Sequence, residues 1–243
     1  MRYAVLADIH ANLAAFTAVL DDIKERGGMD ELWCLGDVVD YGPDPSECIS
    51  LLREHKHVCI AGNHDLAAIG QLDLTNFNPD AAVSNRWTQQ QLAPEDTEYL
   101  DALPLVLKEG VFTLVHGSPR DPVWEYLLSI ESATENFHHF DTRYCLIGHS
   151  HIPLAFLEEE DTARYLPWPE DGRVTLGERR MILNPGGVGQ PRDGDSRASY
   201  AIFDPESDTL TLCRIAYDIR HTQKKMAEKK LPHRLIERLE YGY

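Results

Sequence analysis

Five short polar motifs carry most of the residues whose types and spacing could do chemistry: Asp8-Ile9-His10, Gly36-Asp37-Val38-Val39-Asp40, Gly62-Asn63-His64-Asp65, His116-Gly117 and Gly148-His149-Ser150-His151. Each alone has a plain structural explanation. An Asp at a strand end can cap the next helix, Gly-Asp-x-x-Asp ahead of Tyr41-Gly42-Pro43 reads as a turn, and a lone His116 reads as a core histidine. Gly-His-x-His is stronger, because side chains two residues apart on extended backbone point the same way, as paired metal ligands do. The combination changes the odds: Asp, Asn and His recur at successive strand ends, and five of the eleven histidines lie in these motifs. Carboxylate, imidazole and amide donors without cysteine suit Mn, Fe, Zn or Ni better than Ca or Mg. Seven ligands are too many for one tetrahedral ion and the right number for two metals sharing a carboxylate.

The elements that must position these motifs are legible around them. Apolar runs at Tyr3–Ala7, Leu32–Leu35 and Val58–Ala61 alternate with helix-period segments at Leu13–Arg26 and Pro45–Glu54, which predicts βαβ units and a parallel sheet. Four of the five motifs fall where such runs end, the edge at which α/β sheets bind ligands. Leu66 to Leu103 reads as a helical cap or insert, with Pro79 and Pro94 suited to helix first turns. In the second half, Leu105–Leu107, Val111–His116, Tyr144–Ile147, Leu154–Leu157, Ala163–Pro167, Arg180–Leu183, Ser199–Phe203 and Thr209–Ile215 read as strands, and Glu131–Phe140 as a helix. These strands are expected to form a second sheet packed face to face on the first, with helices outside, in one domain spanning residues 1–243. The tail from residue 214 reads as helical, with its excess of basic residues on a solvated face.

Composition bounds the partners. With 23 basic and 40 acidic side chains the formal charge is −17, which argues against long nucleic acid gripped through its phosphates. No apolar run approaches a membrane span, and no signal peptide is evident. Five cysteines without a CxxC pair suit a reducing cytoplasm.

The ordered set DxH, GDxxD, GNHD, HG and GHxH resembles the calcineurin-like metallophosphoesterase superfamily, as found in its small bacterial and archaeal members. The resemblance implies a four-layered αββα sandwich. It also implies that Asp8, His10, Asp37 and His151 hold one metal, and that Asp37 bridges to a second completed by Asn63, His116 and His149. His64 would be the general acid beside the leaving group, with Asp65 orienting its ring, while a metal-bridged hydroxide attacks phosphorus. Manganese is the expected metal, with Fe, Zn or Ni as alternatives. The expected substrate is a small phosphodiester or phosphomonoester, which could be a nucleotide such as a dinucleoside polyphosphate.

Three residues are weaker substrate-binding candidates: Asn12, which could equally cap a helix; Arg192, in the Gly-rich segment after Asn184-Pro185-Gly186; and Arg120. Trp87, Trp124, Trp168, Tyr41 and Tyr126 could stack on a base, although aromatics are more often core. Protein serine/threonine phosphatases of the superfamily carry Arg where this chain has Tyr41 and Glu where it has Asp65, which disfavours that activity. A non-catalytic scaffold of the same fold would have eroded ligands, and here all are present.

Overall fold

The computed structural model describes residues 1–243. Its first third alternates strands and helices: β1 (Tyr3–Leu6), α1 (Leu13–Glu25), β2 (Glu31–Cys34), α2 (Pro45–Arg53), β3 (His57–Cys59) and α3 (Asn63–Ala68). Two helices follow, α4 (Pro79–Gln89) and α5 (Pro94–Asp101), each with proline in its first turn as expected. Then come β4 (Val106–Glu109), β5 (Phe112–Val115), α6 (Ile130–Asn136), β6 (Tyr144–Leu146), β7 (Leu154–Glu159), β8 (Thr162–Leu166), β9 (Arg173–Thr175) and β10 (Met181–Asn184). The chain closes with β11 (Ala198–Asp204), β12 (Thr209–Ile215), α7 (Ile219–Glu228) and α8 (His233–Tyr241).

These strands make two six-stranded mixed sheets, ordered β3-β2-β1-β11-β12-β9 and β4-β5-β6-β10-β7-β8. Strand alternation sorts the core into layers. Val5, Trp33 and Leu35 of the first sheet meet Phe112, Leu114, Tyr144, Leu146 and Leu183 of the second between the sheets. Ala4, Leu6, Leu32 and Cys34 point the other way, onto Phe16 and Val19 of α1 and Ile49 and Leu52 of α2. The far face of the second sheet, Val115, Cys145, Phe156 and Ile182, is covered by Ala133 of α6 and by Phe137. The order helix, sheet, sheet, helix is the expected αββα sandwich.

The assignment of strands to sheets needs correction. The late strands β9, β11 and β12 do not join the second sheet; β11 pairs antiparallel with β1, Tyr3 opposite Phe203. The reason is that β1 is buried on both faces and parallel pairing with β2 satisfies only one of its edges. The three-residue β9 carries no apolar run and gave no sequence signal. The tail is helical as expected: Met226, Leu231, Leu235 and Leu239 of the α7–α8 pair pack on Tyr41 and Ala81, and Arg220, Lys224, Lys229, Lys230 and Arg234 are exposed. All five cysteines are buried free thiols, and no helix is long and apolar enough to cross a membrane.

Candidate metal centre and active site

The parallel strands β1, β2 and β3 of one sheet, and β5, β6 and β10 of the other, end at a common edge, where the motif loops converge. Asp8, His10 and His151 form one buried cluster and Asp37, His116 and His149 another, their ligand atoms lying within 4.8 Å of one another in each. The Asn63 Oδ1 lies 3.2 Å from His116 Nε2, so it joins the second cluster. Asp37 links the two, its Oδ2 lying 3.6 Å from His10 Nε2 and 3.2 Å from His116 Nε2. All seven residues expected as ligands are thus brought together.

The backbone is bent to achieve this. Asp8, His10, Asp37, His149 and His151 all have positive φ, between 49° and 64°. For non-glycine residues such conformations cost of order 1–3 kcal/mol each and persist only where surroundings enforce them. The enforcement is visible: His10 N–H donates to the Asp37 carbonyl at 2.9 Å and Asp8 N–H to that of Gly36 at 3.1 Å. Gly62 is required by close approach, since a Cβ there would sit 2.0 Å from Asp37 Oδ1.

Do these residues fit a cation? The Nδ1 atoms of His10, His116 and His151 face the carbonyls of Val39, Leu35 and Gln190 at 3.2, 2.8 and 2.6 Å. Each Nδ1 must therefore carry a proton, which leaves Nε2 facing inward. The lone pairs of His10 and His151 face each other at 3.2 Å, which is repulsive without a positive charge between them. His149 reverses the pattern, its Nε2 donating to the Trp124 carbonyl at 3.3 Å, which leaves the lone pair on Nδ1. Asp8 Oδ2 and Asp37 Oδ2 are buried without hydrogen-bond partners. Burial, reinforced by the Asp37 carboxylate and opposed by His116, pushes the Asp8 carboxyl up to about 7. Burial likewise holds His149 down at about 3, and His10 and His151 well below the usual imidazole range, so three imidazoles stay neutral and able to coordinate. This donor set fits two divalent ions, with oxygen and nitrogen ligands and no thiolate.

His64 sits beside this centre, buried, but its partner is not the expected one. Its Nδ1 bonds Asp40 Oδ2 at 2.6 Å, whereas Asp65 accepts backbone N–H groups from Asp37 and Gly62 on one oxygen and from Val38 and Val39 on the other. Asp65 therefore does not orient the ring; it ties the Asp37 loop to the Asn63 loop. The reason is local: Asp65 occupies the third position of α3, where a carboxylate turns back toward the helix start. Asp40 is in turn held by Tyr41 N–H at 2.7 Å and by Asn85 Nδ2 at 3.2 Å, so α4 of the expected insert braces the site. Burial works against a charge on His64, but Asp37 and Asp40 outweigh it and raise its pKa.

The three substrate candidates fare differently. Asn12 caps α1 through Ala15 N–H and is further bonded to the Gly189 carbonyl and the Thr222 hydroxyl; it is structural. Arg120 is paired with Glu125, whose carboxylate also takes Ser118 Oγ and Asn136 Nδ2, so its charge is neutralised away from the ligands. Arg192 does approach. Its backbone N–H donates to the carbonyl of His151, and its guanidinium lies 5.9 Å from the centre of the Tyr41 ring, itself 4.5 Å from the His10 and His64 rings. Among the aromatics, Trp87 and Trp168 pack into hydrophobic clusters. Tyr126 stacks on His149 at 4.0 Å, and Trp124 meets Phe77, which meets His64.

Fold, ligand set and motif order together define a metallophosphoesterase. The chain belongs to the calcineurin-like phosphoesterase superfamily, whose domain model matches residues 1–208. A solved metallophosphoesterase from Sphaerobacter thermophilus is 45% identical, with a TM-score of 0.89, covering 100% of this chain and 99% of that one. An uncharacterized protein of Methanocaldococcus jannaschii is 38% identical over 98% of this chain and 97% of its own length. A symmetrical bis(5'-nucleosyl)-tetraphosphatase of Haemophilus ducreyi is 27% identical over 56% of this chain, and the match spans only 51% of that enzyme.

Proposed function

We propose that this chain is a binuclear metal-dependent phosphoesterase that hydrolyses small phosphodiesters or phosphomonoesters, with His64 as general acid. The observation that carries this reading is the pair of clusters joined through Asp37, with a braced His64 at their side. Asp8, His10, Asp37 and His151 would hold one ion, and Asp37, Asn63, His116 and His149 the other. Two bound divalent cations supply charge neutralisation on the phosphoryl oxygens and activation of water as nucleophile. The rest is the work of side chains. With Nδ1 bonded to Asp40, His64 can present a proton only at Nε2, and Asp37 and Asp40 favour its charged form. Donation from there to the departing oxygen contributes typically 10²–10⁴-fold. Arg192 offers a guanidinium on the substrate side, over the ring of Tyr41.

The test is metal analysis combined with hydrolysis of bis-p-nitrophenyl phosphate and p-nitrophenyl phosphate. Turnover should require added Mn²⁺, vanish with EDTA and return on reloading. Protein with both sites filled and no turnover on any phosphoester would overturn the reading in favour of a scaffold.

A further inference from the structure

Two segments that supply no metal ligand bring aromatic rings onto the centre. The loop between β5 and α6 carries Trp124 and Tyr126, and the turn Leu74–Asn76 is followed directly by Phe77. Phe77 packs edge-on against His64, ring centres 5.1 Å apart, and against Trp124 at 5.0 Å. The proton donor and Trp124 therefore share one neighbour. Tyr126 lies nearly flat on His149, its ring centre 4.0 Å away and its plane inclined by 22°, and it is half exposed. Since the imidazole covers one face of that ring, the open face is the other.

The loop holds these rings at the cleft instead of burying them. Glu125, between the two in sequence, accepts Ser118 Oγ and Asn136 Nδ2 and pairs with Arg120. Asp121 Oδ1 accepts the Trp124 N–H at 3.1 Å, and the Trp124 carbonyl accepts from His149 Nε2. Aromatic side chains fixed in this way offer a large contact area at little cost in side-chain entropy.

A wall on the His64 side faces the group that departs, because the leaving oxygen must reach the proton on Nε2. Its chemistry is π surface without free charge: residues 73–78 and 118–128 hold one cation, Arg120, and Glu125 neutralises it. A leaving group bearing a further phosphate finds no partner there, and an alkyl or sugar alcohol has no flat face to offer. A nucleobase has one, and its stacking on an aromatic side chain tolerates any base.

We infer that Phe77, Trp124 and Tyr126 form a base-stacking wall for the leaving group, so that the substrate is a phosphate ester of a nucleoside. This assignment rests on the phosphoesterase reading above, with His64 as the acid. Hydrolysis of such an ester breaks the bond from phosphorus to the nucleoside oxygen. The nucleoside leaves as a free hydroxyl with the proton of His64, the phosphate keeps the hydroxide of the attacking water, and the other proton of that water restores His64.

Ribose 5-phosphate and adenosine 5'-monophosphate present the same ester bond without and with a base. Mn-loaded wild type should hydrolyse the nucleotide with a kcat/KM at least about tenfold higher. Trp124→Leu and Tyr126→Leu should each lower that ratio by about threefold or more, and Tyr126→Phe should keep it. A wild-type ratio near one, or a ratio unmoved in both leucine variants, would overturn the wall. Saturation-transfer NMR with adenosine, which has no phosphate, reads the same contact without turnover. The base protons should be saturated more strongly than the ribose protons in wild type, and less in Tyr126→Leu, an exposed position that decides the matter if Trp124→Leu fails to fold. Absence of base contact would overturn the wall even in an active enzyme, whereas base contact without turnover of any ester would sink the phosphoesterase reading and leave the wall as a nucleoside site.

Discussion

The floor of the cleft and its rim are held by different means. On the floor, the loops after β1, β2, β3, β5 and β6 bury every metal-facing side chain, and the backbone is forced into left-handed turns by cross-loop hydrogen bonds. On the rim, α8 and the Arg192 loop present guanidiniums that are partly or fully exposed, together with the half-exposed ring of Tyr126. A floor so thoroughly constrained leaves each atom one place to be, which is what preorganised electrostatics requires. A rim held by helix packing can change its side chains without disturbing the chemistry beneath.

Substitutions can break or sharpen that contrast. The largest effect should come from Asp37→Asn, which removes the charge shared by both clusters: metal content by elemental analysis should fall, and kcat/KM on an aryl phosphodiester by ~10³-fold or more, several kcal/mol of lost stabilisation. Retained metal and activity would mean that the clusters are independent. Next, His64→Ala should lower kcat by about 10²–10³-fold with metal content unchanged; full activity would remove His64 from the chemistry. Asp40→Asn should cost about 10–100-fold in kcat, as loss of an orienting partner does, again with metal retained. Asp65→Ala carries the opposite signature: four backbone donors lose their acceptor, costing at least about 3 kcal/mol and roughly 6–12 °C in Tm. If Asp65→Ala instead spared Tm and moved the alkaline limb of the pH–rate profile to lower pH, the roles of the two carboxylates would be exchanged. The smallest effect belongs to Arg120→Gln, less than about twofold in kcat/KM on any phosphoester, because its charge is already neutralised by Glu125.

How much of this was readable in the chain varies with the range over which each feature is determined. The ligands were, since each follows a short apolar run and the loop that aims it is local. The partner of His64 was not. Asp65 is its neighbour in sequence, yet helix-start geometry turns that carboxylate toward backbone amides, while Asp40 reaches the ring from 24 residues away. The pairing of β11 with β1 was equally hidden, because Ala4 and its partner Ile202 lie 198 positions apart and nothing in either strand names its partner edge. The docking of the α7–α8 pair on Tyr41 and Ala81 was hidden for the same reason: an amphipathic helix declares its apolar face, but not what stands opposite when that face docks.

Left-handed turns at five ligands have one further consequence. Part of their conformational cost is met by protein hydrogen bonds, from the backbone N–H groups of Asp8, His10, Asp37 and His149, and not by coordination alone. Exchange among first-row metals would then proceed without refolding, and the ion found in the protein would record the supply available where it matured more than a choice made by its ligands.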